Sequence, residues 1–324
     1  MTLDALGWNG PRQKEFAAID ADGLIPGRVI AEHRSHLRVA LEGAELSART
    51  SGRMRNTAKE RSDLPGVGDF VAVRLAAGDG PSTIEAVLPR TSALIRKASG
   101  KSQPQLLAAN IDVVFIMTAP DADLNLPRLE RYLTLVRNSG ATPVIVVNKA
   151  DLAHDVIEIT DRIAAMAVGV PIHAVSARCH DPIPDLERYF GGNRTIALVG
   201  SSGVGKSTLT NLLLGRAAQA TQEVRAHDSR GRHTTTHRQL FNRPGGGSII
   251  DTPGMRALEV WQDPLAGGNG VKDIDAVSVR CKFSDCSHTT EPGCAVRAPV
   301  ERGSSMPRVP APMLPSRAAK RSAR

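Results

Sequence analysis

TIALVGSSGVGKSTLTNLLLG, residues 195–215, sets an apolar, strand-like run before a glycine-rich turn and a helix-like run after it. The turn consists of Gly200, Ser201, Ser202, Gly203, Val204, Gly205, Lys206 and Ser207, which is the spacing GxxxxGKS, and Thr208 follows. Glycines at these places let successive backbone N–H groups wrap a phosphate at a helix N-terminus, where the helix dipole also favours negative charge. A lysine at the sixth place after the first glycine reaches the outer phosphates of a nucleotide, and the next hydroxyl, Ser207, is suited to bind Mg²⁺. Strand, turn and helix agree with one another, so the stretch predicts an α/β P-loop domain with phosphate binding at the turn.

Working outward, base choice is written upstream. Asn148, Lys149, Ala150 and Asp151 follow an apolar run at 144–147. A carboxylate such as Asp151 accepts from guanine's ring N–H and exocyclic amine together, whereas adenine offers no such pair and leaves a buried carboxylate unpaired. Ser176 and Ala177 follow the next strand-like run, where the Ala177 amide is placed to donate to the guanine oxygen. Downstream, Asp251, Thr252, Pro253 and Gly254 follow another apolar run. There Asp251 is expected to meet Mg²⁺ through water, and the Gly254 amide to sense the γ-phosphate. The polar, basic stretch 221–237 has the character of a switch loop, and one of Thr234 or Thr235 completes the Mg²⁺ shell. Met255 stands where a Ras-like protein carries its water-orienting Gln, so intrinsic hydrolysis of GTP to GDP is expected to be slow. His233, inside the switch stretch, is the substitute for positioning the water, although a histidine in a basic loop is more often merely exposed.

The order of these motifs is informative. The guanine motifs at 148 and 176 precede the phosphate loop at 200, whereas an ordinary G domain places them after it. The same sheet forms if the original termini are joined, so the G domain is expected to be circularly permuted. Strands are expected at 113–117, 144–147, 172–175, 196–199 and 248–250, with helices carrying Leu129, Leu133 and Val136, then Val156, Ile159, Ile163 and Met166, on core-facing stripes.

The remaining chain reads as flanking modules. Alternation at Leu37, Val39 and Leu41, at Val71, Val73 and Leu75, and at Ile84, Ala86 and Leu88 predicts about five short strands in a small β-barrel. An OB-fold fits, and an SH3-like barrel would give nearly the same pattern. Arg49, Arg53, Arg55, Lys59 and Arg61 crowd one stretch of that barrel, with Glu60 its one acid, and are expected to form a loop that contacts RNA phosphates. Cys281, Cys286, His288 and Cys294 are four soft or borderline ligands, a set that closes one structural Zn²⁺ site. The expected domains are an N-terminal extension at 1–25, the OB-fold barrel at 26–95, the permuted G domain at 96–263, a zinc module at 264–302 and a basic disordered tail at 303–324. The net charge of +8 and pI near 9.7 point to a polyanionic partner. The first residues lack a sustained apolar run and no stretch is long enough to span a bilayer, so a cytoplasmic monomer with no membrane partner is expected.

Together these features resemble the ribosome-small-subunit-dependent GTPase A family over about residues 26–303. The resemblance rests on GRV at 27–29, VGD at 67–69, LPR at 88–90, NKAD, GSSGVGKST, GRHTTT at 231–236, DTPG, and CKFSDCSHTTEPGCAV at 281–296. It implies GTP hydrolysis stimulated by the small ribosomal subunit and its rRNA, a late assembly checkpoint, and release of bound assembly factors. It also gives His233 weight as a catalytic residue. Family members usually continue past the zinc ligands as a helical segment, whereas this chain runs into RGSSMPRVPAPMLPSRAAKRSAR at 302–324. Two rivals differ in what they require. A GTP-gated zinc and OB-fold RNA-binding module would bind GTP with little turnover, and a P-loop ATPase or kinase would let ATP compete, which Asn148 and Asp151 argue against.

Overall fold

The structure, a computed structural model, describes residues 2–19, 22–33, 35–78, 80–97, 104–121, 123–179, 183–215 and 238–251. The chain divides into two compact units, Met1–Trp261 and Gln262–Arg324, and the second lies outside the described residues.

Helix α1 (Gly10–Ala17) precedes strand β1 (Ile25–Glu32), and β2 (Leu37–Ala40), β3 (Glu45–Thr50), helix α2 (Gly52–Thr57), β4 (Phe70–Arg74) and β5 (Ser82–Val87) follow. β1 pairs antiparallel with both β2 and β4, and β3 pairs parallel with β5, so the five strands close on themselves as an OB-like barrel. Closure leaves these strands no free edge. Val29, Val39, Val71, Val73 and Ile84 fill the interior. The expected alternation ends early: Leu75 lies beyond β4 and is 53% exposed, while Leu88 packs outside the barrel against Phe16 and Phe70.

The basic stretch is not the expected loop. Ser51 accepts a hydrogen bond from the Met54 N–H at 3.2 Å and caps α2, so Arg53 and Arg55 ride on a helix. Arg49 belongs to β3 and Arg61 to a 3₁₀ turn, Arg61–Asp63.

A hairpin of β6 (Ala93–Lys97) and β7 (Pro104–Ala109), which the alternation did not announce, leads into the α/β part. This consists of β8 (Val113–Thr118), α3 (Leu126–Ser139), β9 (Thr142–Val147), α4 (Val156–Met166), β10 (Ile172–Ala174), α5 (Pro184–Glu187), β11 (Thr195–Gly200), α6 (Lys206–Leu213), β12 (Gln239–Asn242) and β13 (Ser248–Asp251). The sheet order is β10-β9-β8-β11-β13-β12; the first five run parallel, and β12 pairs antiparallel with β13 and touches β1 at Gln239 opposite Ala31. Successive residues of β8 and β11 enter opposite cores. Val114, Ile116, Ala197 and Val199 lie under α3 and α4, and Phe115, Met117, Ile196 and Leu198 lie under α5 and α6. Both faces of the sheet are covered, which is why these strands are continuous apolar runs.

Barrel and sheet are locked by two buried arginines, Arg28 and Arg12. Arg28 of β1 donates to Gly68 O at 3.1 Å, Asn110 O at 3.0 Å and Thr195 Oγ1 at 2.8 Å, and also to Leu6 O. Its guanidinium stacks 4.6 Å from the Phe70 ring centre. Arg12 of α1 donates to Asn110 Oδ1 at 2.8 Å and Pro89 O at 2.6 Å. Arg90 grips Asp69 through two bonds of 2.8 and 2.7 Å, joining LPR to VGD. Gly68 has φ +93° and leaves room for the Ala109 carbonyl, which an added Cβ would meet at 2.1 Å.

Candidate nucleotide site

The C-terminal ends of β8, β9, β10, β11 and β13 point to one edge of the sheet, and every described nucleotide candidate is gathered there. From β8 the chain moves outward through β9 to β10, whereas from β11 it moves the other way to β13. That divergence makes a crevice beside β11, the usual ligand position in an open α/β sheet.

Gly200 ends β11 and Lys206 begins α6, so the intervening turn presents its backbone at the N-terminus of that helix. Lys206 Nζ donates to the Gly200 carbonyl at 2.9 Å and to the Ser201 carbonyl, which draws the ammonium across the mouth of the loop. Ser207 and Thr208 are exposed on the first turn of α6, and Val204 is buried. Asp251 stands at the end of β13, the neighbour of β11.

Asn148, 2% exposed, is the hinge of the site. Its Nδ2 donates to the Val204 carbonyl at 2.8 Å and its Oδ1 accepts from the Ala177 N–H at 3.1 Å, so one amide ties both other loops to the end of β9. An amide can do this because it carries a donor and an acceptor on one rigid group. Gly205, φ +99°, makes room for it, since a Cβ there would lie 2.2 Å from Asn148 Nδ2. Asp151 accepts from Ser176 Oγ at 2.6 Å, and the same hydroxyl accepts from the Cys179 N–H at 3.2 Å. Lys149, in a left-handed conformation at φ 59°, pairs with Asp121 at 3.2 Å. The Asp123 N–H and the Lys149 ammonium hold the Asp121 carboxyl below its usual range.

The expected guanine and phosphate residues are thus brought to one place: a carboxylate braced by a hydroxyl, the Ala177 N–H donated to Asn148, a glycine-rich turn at a helix N-terminus and a lysine. Asp121 was not among the sequence candidates, because nothing local to it resembles a motif. His233, Thr234, Thr235 and Gly254 lie outside the described residues, as do Cys281, Cys286, His288 and Cys294. Among the described residues no group of His, Cys, Asp and Glu is gathered as a metal site, and no helix is long and apolar enough to cross a membrane.

A family model described as RsgA GTPase matches residues 87–261. The "Small ribosomal subunit biogenesis GTPase RsgA 2" of Lactiplantibacillus plantarum is 44% identical over 303 residues, covering 94% of this chain and 85% of that protein. Two solved structures share the fold at 26% identity. YjeQ from Thermotoga maritima has a TM-score of 0.57 and covers 86% of this chain and 92% of its own. YloQ, titled a circularly permuted GTPase, has a TM-score of 0.53 and covers 88% and 90%. With the strands that carry Asn148 and Ser176 preceding the phosphate-loop strand in the chain yet lying in the same parallel sheet, after an OB-like barrel, this chain belongs to the RsgA GTPase family and has its circularly permuted fold.

Proposed function

We propose that this chain hydrolyses GTP to GDP and phosphate during maturation of the small ribosomal subunit. The observation that carries the reading is the Asn148 bridge, which holds the base-reading loops against the phosphate loop. The name of the Lactiplantibacillus relative supports the ribosomal role.

In this reading Asp151 reads guanine and the Ala177 N–H, held by Asn148 Oδ1, turns to the guanine oxygen when the base binds; Asn148 and Ser176 position the two, and the Lys149 stem lies along the base. The backbone from Gly200 to Gly205 wraps the phosphates, together with the Lys206 ammonium and the first turn of α6. Ser207 would supply a hard oxygen of the kind Mg²⁺ prefers and Asp251 would meet the ion through water, and the Mg²⁺ that accompanies GTP would neutralise phosphate charge. Water attacks the γ-phosphorus and GDP leaves. His233 orients that water, Thr234 or Thr235 completes the Mg²⁺ shell, and Gly254 senses the γ-phosphate; the sequence motifs support these assignments. Their spacing likewise supports one structural Zn²⁺ held by Cys281, Cys286, His288 and Cys294 in a module at 264–302. The barrel meets rRNA through the basic stretch Arg49, Arg53, Arg55, Lys59 and Arg61, whose members contribute unequally.

The test is GTP turnover with and without purified small ribosomal subunits, with Lys206→Ala as the blank and excess ATP as competitor. A rise with subunits that ATP leaves unchanged is expected, and activation in trans reaches roughly 10³- to 10⁵-fold elsewhere. Tight GTP binding with no rise would replace this reading by a GTP-gated RNA-binding module.

A further inference from the structure

The basic residues of the barrel are not equivalent. A cleft of about 250 Å³ opens where β1, β2 and β3 meet β7 and the start of β12. Arg49, Arg55, Arg61 and Arg238 line it against a single carboxylate, Glu32. Glu32 is already engaged, 2.9 Å from Arg238 and 4.0 Å from Arg61. The side chains of Arg49 and Arg55 make no hydrogen bond or ion pair among the described residues, so two guanidiniums face the cleft uncompensated. A second hollow, about 360 Å³, adjoins it and shares Arg49 and His36. Arg53 and Lys59 belong to the same run of sequence but line neither hollow.

Three features select the occupant. Uncompensated guanidiniums fit phosphate oxygens in pairs, through a planar fork that a lysine lacks. No Phe, Tyr or Trp lines either hollow among the described residues, and the aromatic rings there, His33 and His36, stack on each other at 4.7 Å, so the lining offers charge more than a broad platform for bases. Two hollows that share a wall suit an extended polyanion better than a single ion.

We propose that this cleft seats successive phosphates of an RNA backbone, with Arg49 and Arg55 as the principal contacts. The proposal rests on the rRNA-binding reading of the barrel and narrows it from a charged stretch to a formed site. Recognition there follows backbone geometry and not base sequence.

The experiment compares two double variants that each remove two charges from the same run, Arg49→Ala/Arg55→Ala and Arg53→Ala/Lys59→Ala. Each is titrated with a short fluorescein-labelled RNA hairpin across a salt series, with melting and guanine-nucleotide affinity measured alongside. The cleft pair is expected to weaken binding at least about tenfold and to reduce the slope of log affinity against log salt by about two. The outer pair should change affinity by no more than about threefold, and both variants should melt with the parent because all four side chains are exposed. Equal losses from the two pairs would overturn the cleft while leaving RNA binding by bulk charge. No loss from either would overturn both readings.

Discussion

The Asn148 side chain donates to the Val204 carbonyl at 2.8 Å, across 56 residues of sequence, and this bond joins the end of β9 to the loop after β11. Replacing Asn148 by Ala breaks it, frees the Ala177 N–H and leaves the buried Val204 carbonyl unpaired. An unpaired buried polar group costs about 1–3 kcal/mol. Affinity for GTP and GDP is therefore expected to fall together, by roughly 10- to 100-fold, in a fluorescent-nucleotide titration. Gly205→Ala should produce a similar loss by pushing on the same amide, and the double variant should be little worse than either single one, because the two changes damage one contact.

Base selectivity resides in the carboxylate that Ser176 Oγ braces at 2.6 Å. Asp151→Asn turns one acceptor into a donor. Guanine then faces a mismatched N–H, whereas xanthine, with an oxygen in place of the exocyclic amine, gains a partner. Competition binding should show GTP weakened by about tenfold or more and the xanthosine nucleotide strengthened, a reversal of preference with the phosphate contacts untouched. A uniform loss for both bases would assign Asp151 a purely structural role.

Arg28 stabilises the junction of barrel and sheet. Burial pushes its pKa down to about 10, so at neutral pH it is still charged and still donates to four acceptors. Arg28→Met removes every donor and strands those acceptors in the core, for an expected loss of at least about 3 kcal/mol. Melting should fall by roughly 6–12 °C. Arg28→Lys is expected to recover little of this, because one ammonium cannot span acceptors that a planar fork reaches on several sides.

His173 of β10 lies 2.9 Å from the Tyr189 hydroxyl, and burial, followed by the nearby Arg188 charge, lowers its pKa below the usual histidine value. Asp185, 4.0 Å away, opposes that shift without reversing it. The unfolded chain therefore binds the proton more readily than the folded one. Stability is complete above the ordinary histidine pKa, near 6.5, and declines as the pH falls from that value. Melting curves between neutral pH and pH 5 should be less pH-dependent in His173→Gln than in the parent; an unchanged slope would remove His173 as the cause.

Some of this was legible in the chain as written. The phosphate loop, NKAD and the core stripes of α3 and α4 are each specified within a few neighbouring residues, where spacing translates directly into backbone geometry. Strands β8, β9, β11 and β13 could be read in the same way, because burial on both faces leaves an apolar run, whereas β10, Ile172–Ala174, is a half-buried edge strand legible mainly from its place after α4. The order of the motifs was enough to reveal the permutation.

Other features depend on residues far apart in sequence. GRV, VGD and LPR were visible as motifs without a role, until Arg28 was seen reaching Thr195 and Arg90 gripping Asp69. The hairpin β6–β7 and the helix under Arg53 and Arg55 had too little periodicity to stand out in so few residues. Nor could a run of positive charge say which guanidiniums face a cleft, since that depends on β3, β7 and β12 converging there. Contacts within a turn follow from the order of the residues, but contacts between elements exist only once burial of apolar surface has brought the elements together.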